Sequence, residues 1–448
     1  MHKLKLYNSL TKKIEEFNPI DTNKVRMYTC GITVYDKCHL GHAKTYIASD
    51  ILFRLLQELY GKDKVVYVRN ITDVDDKINK RAVERGITIQ ELTTENIAYM
   101  QQDFEYLHLL KPTFEPKATE NIDEMIAIIQ MLIDNGNAYV ADGHVLFDTT
   151  TFKDYGKLSG RNTDEMIAGA RVEVATYKKN PMDFVLWKPS LDIDDDSAKF
   201  KSPWSIGRPG WHIECSAMSH RYLGENFDIH CGGNDLKFPH HENEIAQSRC
   251  AFKGSNFANY WLHTGFLLVN GEKMSKSLHN FTTIEDLRKQ NIKGVAIRYA
   301  FLKNNYKTPF DFSLKLIEEA DKNLMDLHKA VKNVKSSNKL NDKILEYLCD
   351  DLNTSKVLAE LHNLKNSNPE ELKKAMEFLG IYDEAYYQEN KNLDNLSITE
   401  QEINELINQR LEAKKQKDYK RADEIRNLLD SKGILIKDTP NGSDWSLK

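Results

Sequence analysis

The 448-residue sequence predicts an α/β protein: a parallel sheet interrupted by an insertion, then an α-helical bundle and a small C-terminal module. Three observations predict it: a strand–helix–strand succession near the N-terminus, a change of pattern between residues 118 and 203, and helical periodicity after Phe312. Val25 to Cys30 is β-like, Ile47, Ile51, Leu52, Leu55 and Leu59 recur at helical spacing, and Lys64 to Val68 reads as a buried strand. So short a succession argues for a parallel βαβ unit, which binds ligands at the carboxyl ends of its strands. Cys30 falls at that end. From Ala118 to Pro203 a helix, a hairpin-like region (Ala138 to Phe147) and polar loops ending in the acidic run Asp192, Asp194, Asp195 and Asp196 read as an insertion. Beyond Phe312, Ile317, Ala320, Leu324, Leu327, Val331 and Val334 form the seam of an amphipathic helix. Tyr386 to Leu396 reads as a linker. Ser397 with Glu400 suits a capping box for a helix through Asp430, which Gly433 stops. A short strand, Ile434 to Ile436, leads into a turn from Asp438 to Gly442.

Composition narrows the class. Apolar residues make up 40% and charged residues 29%, as in a soluble globular protein. The start at Met1 has no apolar leader and no stretch is long enough to span a bilayer, so a cytosolic protein without a membrane role is expected. Six cysteines are too few for a disulfide scaffold in a chain this long; each is a core residue, a metal ligand or a nucleophile. With 62 Lys and Arg against 67 Asp and Glu the net charge is −5, so any nucleic-acid surface must be a local patch. The run Arg410, Lys414, Lys415, Lys417, Lys420, Arg421, Arg426 is a candidate, and equally reads as a solvated helix face.

Three constellations carry chemistry. His39-Leu40-Gly41-His42 lies where the first strand gives way to a helix; a helix start offers free N–H groups to a phosphate, Gly41 lets backbone approach, and His39 and His42 can donate as charge develops. Lys273-Met274-Ser275-Lys276-Ser277 follows the turn signal Asn270-Gly271, and its two lysines could stabilise the charge on a departing pyrophosphate; the bland reading is an exposed basic loop. In Phe238-Pro239-His240-His241-Glu242-Asn243-Glu244, Pro239 suits a first helical turn, which puts His240 and Glu244 on one face where they can share a metal. Cys30 and Cys215 could complete a zinc set. Their spacing is not that of a zinc finger, so by sequence alone they serve equally as buried small hydrophobes.

The histidine motif and the lysine string together resemble the two signatures of class I aminoacyl-tRNA synthetases, with Leu40 where Ile is usual. More narrowly, Cys30-Gly31 with Val34-Tyr35-Asp36, the Trp211 to Met218 block and the Pro239 to Glu244 block resemble the cysteinyl-tRNA synthetase family. Arg69 to Asp73, Asp350 to Thr354 and Asp438 to Gly442 with Trp445 extend the match over nearly the whole chain. Ile32, Lys44, Lys117 and Cys231 depart from the family pattern, which has Pro, Arg, Arg and Gly there. Cys38, Cys231, Cys250 and Cys349 read as structural.

The resemblance implies a Rossmann-like parallel-sheet catalytic domain with an insertion: residues 1–117 and 204–265 around an insertion at 118–203, a lysine-loop and stem-contact region at 266–312, a helical bundle at 313–385 and an anticodon-binding module at 397–448. It implies one Zn2+ per chain held by Cys30, Cys215, His240 and Glu244, and Mg2+ with ATP. Gly31, Thr72 and Trp211 are expected to hold L-cysteine, and Gly41, Gly233, Asp235 and Lys276 to bind ATP, with His39, His42, Lys273 and Lys276 catalytic. The expected reaction is ATP-dependent formation of cysteinyl-adenylate, then transfer to tRNA(Cys), by a cytoplasmic monomer. Two rivals are a ligase joining cysteine to a small amine, which needs no anticodon module, and a non-catalytic zinc-containing RNA-binding protein, which needs no lysine loop.

Overall fold

The computed structural model describes residues 2–161, 176–191, 195–269, 271–274, 281–386, 398–439 and 442–447. Most of the linker read from Tyr386 to Leu396, Ser397, Asp192, Asp194 and the lysine-loop residues Ser275 to Ser277 lie outside them. Two compact units are present: residues 1–324 with 334–381, and residues 325–333 with 382–448.

The larger unit is built on a parallel sheet. Its strands are β1 (Val25–Thr33), β2 (Val65–Thr72), β3 (Asn226–Gly233) and β4 (Phe257–Thr264), in the spatial order β4-β3-β1-β2. Both faces are covered, so the strands read as nearly continuous buried runs rather than as alternation. Helix α1 (Leu40–Tyr60) links β1 to β2; α2 (Trp211–Leu223) leads into β3; α3 (Glu242–Ala251) leads from β3 to β4. The apolar face of α1, including Ile47, Ile51, Leu52, Leu55 and Leu56, is buried, and each such side chain contributes about 1.5–3 kcal/mol. Because the chain leaves β1 toward β2 on one side and runs from β3 to β4 on the other, the order reverses between β1 and β3. A crevice at the carboxyl ends is the consequence.

Residues 118–209 carry their own helix (Ile122–Asp134) and a five-stranded antiparallel sheet that includes the hairpin Ala138–Ala141 with His144–Phe147. Met125, Ile129 and Leu132 of that helix share one hydrophobic cluster with Trp187, Ile213 and Trp261, so this region packs into the core of the unit. The chain then returns for β3 and β4. Helices Asp342–Cys349, Thr354–Ser367 and Pro369–Phe378 follow, preceded by Leu314–Ala330, which carries the predicted seam from Ile317 to Leu327 and ends before Val331 and Val334. They are tied to α1 by Arg298, fully buried on the helix Gly294–Leu302: its guanidinium pairs with Asp50 and donates to the carbonyls of Leu379 at 2.6 Å and Leu107 at 3.2 Å.

The smaller unit corrects two expectations. The helix starts at Glu400 with Thr399 as its cap, Thr399 and Glu402 forming the capping box instead of Ser397 and Glu400. It also breaks: Glu400–Lys415 and Tyr419–Ser431 are separate helices, the chain turning at Lys417 with φ 62. The break lets Ile403 and Ile407 meet Ile425 and Leu429 in one small core, against Ile434 of the hairpin Ile434–Thr439 with Gly442–Leu447. The basic run is partly spent on this packing. Arg410 bonds both carboxylate oxygens of Asp438, at 2.6 and 3.0 Å, Lys414 bonds the same group at 2.6 Å, and Lys415 and Arg421 pair with Glu412 and Glu424. Arg410 is buried, so it is a structural residue rather than part of an exposed cationic stripe.

Candidate active site and metal centre

The pairing of β1 with β2 is broken between Thr29 and Ile32. Such an irregularity re-aims side chains, and here it turns the Cys30 thiol toward α2 and α3. Gly31 makes it sterically allowed: a Cβ there would stand 1.5 Å from the Asn70 carbonyl oxygen. Asn70 fixes the displaced backbone by accepting the Gly31 N–H at 2.7 Å and the Tyr28 hydroxyl at 3.0 Å on Oδ1.

Cys30, Cys215, His240 and Glu244 come together here, all buried, with ligand atoms within 4.8 Å of one another. Cys215 comes from the first turns of α2 and Glu244 from α3. His240 precedes α3, in the turn Lys237–His241 containing Pro239, so the proline sits before the α-helix rather than in its first turn. The i, i+4 relation nevertheless holds, with His240 Nε2 3.1 Å from Glu244 Oε1. Burial pushes both thiols up, Cys30 further through its Cys215 neighbour. Burial likewise drives the His240 imidazole down to about 3 despite the opposing Glu244 charge. Burial also opposes the Glu244 charge, but His230 and His240 outweigh it and hold the carboxyl below the usual range. Two thiols, a neutral imidazole and a carboxylate converging in a dry site are a donor set that fits a divalent metal: the cation would deprotonate the thiols, whose buried charge nothing else compensates.

Sequence reasoning missed a histidine shell around these ligands. His230 on β3 sits 2.8 Å from Glu244 Oε2, His241 lies 3.3 Å from Cys30 Sγ, and the other nitrogen of His241 pairs with His263 at 2.8 Å. Cys30, His230, His241 and Glu244 therefore form a second, overlapping candidate set. The first is the better one: it holds two sulfur donors, and in it His230 orients the carboxylate as an outer partner does. The only sequence signal for the shell was polar residues inside apolar strands, as at His230 and Asn70.

A crevice of about 410 Å³ adjoins the metal set, lined by Gly31, His39, His42, Trp211, Gly233 and Asp235 among others. His39 is the N-cap of α1 and shares a reciprocal capping box with His42; the rings stack with centroids 3.6 Å apart. Burial, with His39 adding to it, keeps His42 neutral and able to donate one N–H. A Cβ at Gly233 would stand 2.3 Å from Asp235 Oδ1, so a side chain there would push the Asp235 carboxylate from its place at the crevice. Trp211 stacks on His240 with centroids 4.2 Å apart. Thr72, at the end of β2, is buried against Glu214. Lys273 lies in the two-residue strand Glu272–Lys273, Met274 lines the crevice, and Lys276 lies outside the described residues. The segment after the lysine loop is zipped to the histidine motif by Leu40 N–H to Thr282 O and Ile284 N–H to Cys38 O, both 3.1 Å.

Lys44, which stands where the family pattern has Arg, makes a structural contact. It is buried, donating to the carbonyls of Gly265 at 2.6 Å and Thr308 at 2.7 Å, and burial lowers it to about 8. It ties the end of β4 to the chain before the strand Phe310–Phe312.

The family model for tRNA synthetases class I (C) catalytic domain matches residues 16–323. The chain is 49% identical to a cysteine–tRNA ligase of Methylocella silvestris, covering 99% of both chains, and 47% identical to one of a Wolbachia strain from Drosophila simulans, covering 98% of this chain and 99% of that. In solved structures it resembles Mycobacterium tuberculosis methionyl-tRNA synthetase in complex with methionyl-adenylate, at 14% identity and TM-score 0.55 over 80% of this chain and 89% of that one. It also resembles an Agrobacterium radiobacter LeuRS in a ternary complex, at 10% identity and TM-score 0.55 over 83% and 84%. These last two likenesses concern the fold alone. A crevice at the switch point and a sulfur-rich candidate metal set beside it accord with nearly full-length relatives at this identity: the chain belongs to the cysteine–tRNA ligase family of class I aminoacyl-tRNA synthetases.

Proposed function

We propose that this enzyme activates L-cysteine with ATP, releasing pyrophosphate, and transfers the cysteinyl group of cysteinyl-adenylate to the 3′-terminal adenosine of tRNA(Cys). The observation that carries the choice of amino acid is the convergence of Cys30, Cys215, His240 and Glu244 beside the histidine motif. These four residues would hold one Zn2+. When bound, the ion supplies affinity for a soft thiolate over a hydroxyl, a distinction that pocket shape alone makes poorly.

The chain's own residues do the rest. Gly31, Thr72 and Trp211 hold cysteine; Gly41, Gly233 and Asp235 lie along the adenosine. As the substrate carboxylate attacks the α-phosphate in line, His39 and His42 donate to the phosphate oxygens, and Lys273 and Lys276 stabilise the departing pyrophosphate together with Mg2+. Residues 1–117 and 204–265 form the catalytic domain, 118–203 the insertion, 266–312 the lysine-loop region, 313–385 the helical bundle, and 397–448 the anticodon-binding module. The enzyme is read as a monomer acting in the cytoplasm. The described residues contain no helix long and apolar enough to cross a membrane.

Charging of purified tRNA(Cys) with labelled cysteine, against serine as control, tests this reading. Cysteine-specific charging supports it. Ligation of a small amine acceptor without charging, or equal charging with serine, overturns it.

A further inference from the structure

Two helix N-caps meet at the rim of the crevice. His39 caps α1, Thr283 caps the helix Ile284–Lys289, and the two residues form an antiparallel bridge. The bonds from Leu40 N–H to Thr282 O and from Ile284 N–H to Cys38 O flank that bridge on either side. Across it the ring of Phe281 stands edge-on to that of His39, with centroids 5.1 Å apart, and both residues line the crevice.

The register of this short pairing sets Leu40 opposite Thr282, His39 opposite Thr283 and Cys38 opposite Ile284. The next pair in the same register is Lys37 with Glu285, and their side chains form an ion pair. Among the described residues it is the one ion pair that joins the two segments. It is partly shielded: the Glu285 side chain is 14% exposed, and the Lys37 ammonium lies 4.5 Å from the centroid of the Tyr99 ring on the helix Ile89–Tyr106. The hydrogen bond between them favours both charges, raising Lys37 and holding Glu285 below the usual carboxylate range. An opposite-charge pair across two strands favours one register over its neighbours, and a slip of one position would turn Phe281 away from His39. Neither charged residue lines the crevice, so any part they take in the chemistry runs through His39.

We propose that Lys37 and Glu285 are positioning residues for adenylate formation: their ion pair locks the register in which Phe281 meets His39, and thereby holds the His39 and His42 rings where the phosphate is to sit. This rests on the phosphate role given to the two histidines. Small errors in the placement of such donors are costly to a reaction that depends on alignment.

A double-mutant cycle on the full-length, zinc-replete protein tests it, with single-turnover adenylate formation at saturating ATP and L-cysteine as the readout. Lys37→Gln and Glu285→Gln are each expected to slow the step by about 5- to 30-fold, the scale of a lost hydrogen bond between charged groups. The double variant should be no slower than the slower single within about twofold, because each single change already breaks the pair. Zinc content and the calorimetric affinity for cysteine, which a general loosening of the fold would move, should stay as in the unaltered protein. Lys289→Gln removes the other cation on Glu285, 3.2 Å away on the same helix, and should leave the rate unchanged. Additive losses, rates equal to that of the unaltered protein, or a matching loss of cysteine affinity overturn the proposal. Should either Gln variant fail to hold zinc, Glu285→Asp decides: it must slow the step by shortening the reach, and Lys37→Arg added to it must restore the rate, and a failure to restore it overturns the proposal. If the unaltered protein forms no adenylate, the reading beneath falls as well; a normal rate there with unaffected variants removes only the role of the ion pair.

Discussion

Replacing Arg298 by Met should unfold the larger unit more easily by about 3–5 kcal/mol, the range for breaking a buried charge network from one side. The size follows from what the guanidinium serves. Its Nε and one terminal nitrogen donate to Leu379 O and Leu107 O, and the other terminal nitrogen pairs with Asp50. Each carbonyl that loses its donor in the dry interior costs about 1–3 kcal/mol. Asp50 is spared full isolation because Arg54 Nε and the Leu110 N–H remain, each at 2.7 Å, and His108 O keeps a donor in Arg54. Urea titration followed by the fluorescence of Trp187 and Trp261, both fully buried in this unit, reads the change. Arg298→Lys should recover only part of it, since a single ammonium cannot reach two carbonyls and a carboxylate in a planar fork. A loss below about 1 kcal/mol, the centre of the range for ordinary point substitutions, would refute the reasoning.

Burial works against the Asp50 charge, but Arg298 and Arg54 outweigh it and leave the group below its ordinary value. Its contribution to stability is therefore fully present above the unfolded value near about 4 and is lost as pH falls from there through the lower folded value, so the stability gap to Asp50→Asn should close on acidification; a gap constant with pH contradicts this. Cys215→Ser should lower zinc content and cysteine affinity together, and an unchanged metal stoichiometry would remove Cys215 from the ligand set. Lys276→Ala should slow single-turnover adenylate formation by about 100- to 1,000-fold while sparing cysteine binding, and a normal rate would contradict its role. Thr399→Ala should destabilise the smaller unit by about 1 kcal/mol through the lost capping box; hydrogen exchange of the first-turn amides measures it.

What could be read from the sequence was whatever depends on neighbours along the chain. The βαβ start, the hairpin at Ala138 to Phe147 and the seam helix all rest on local periodicity, and all are present. Cys30, Cys215, His240 and Glu244 were recognisable as a set only through resemblance, because nothing local says that residues 214 positions apart meet, as Cys30 and Glu244 do at 3.4 Å. The histidine shell was illegible for the same reason: His230, His241 and His263 lie on separate elements, brought together by the pairing of β3 with β4 and by the turn Lys237–His241. Arg410 misled because its charge suggested an exposed helix face, whereas the fold buries it against the Asp438 carboxylate. The break at Lys417 was hidden since its flanks are strong helix formers; packing of Ile407 on Ile425 decides it.

The interruption between β2 and β3 sets an order in time. At a synthesis rate of about 5–20 residues per second, Cys30 leaves the ribosome roughly 10–40 s before Glu244. Until Cys215, His240 and Glu244 emerge in turn, the nascent chain holds only part of the candidate ligand set. The proposed loading with metal would therefore follow translation of α3, and a truncated product ending in the insertion should retain no stoichiometric ion.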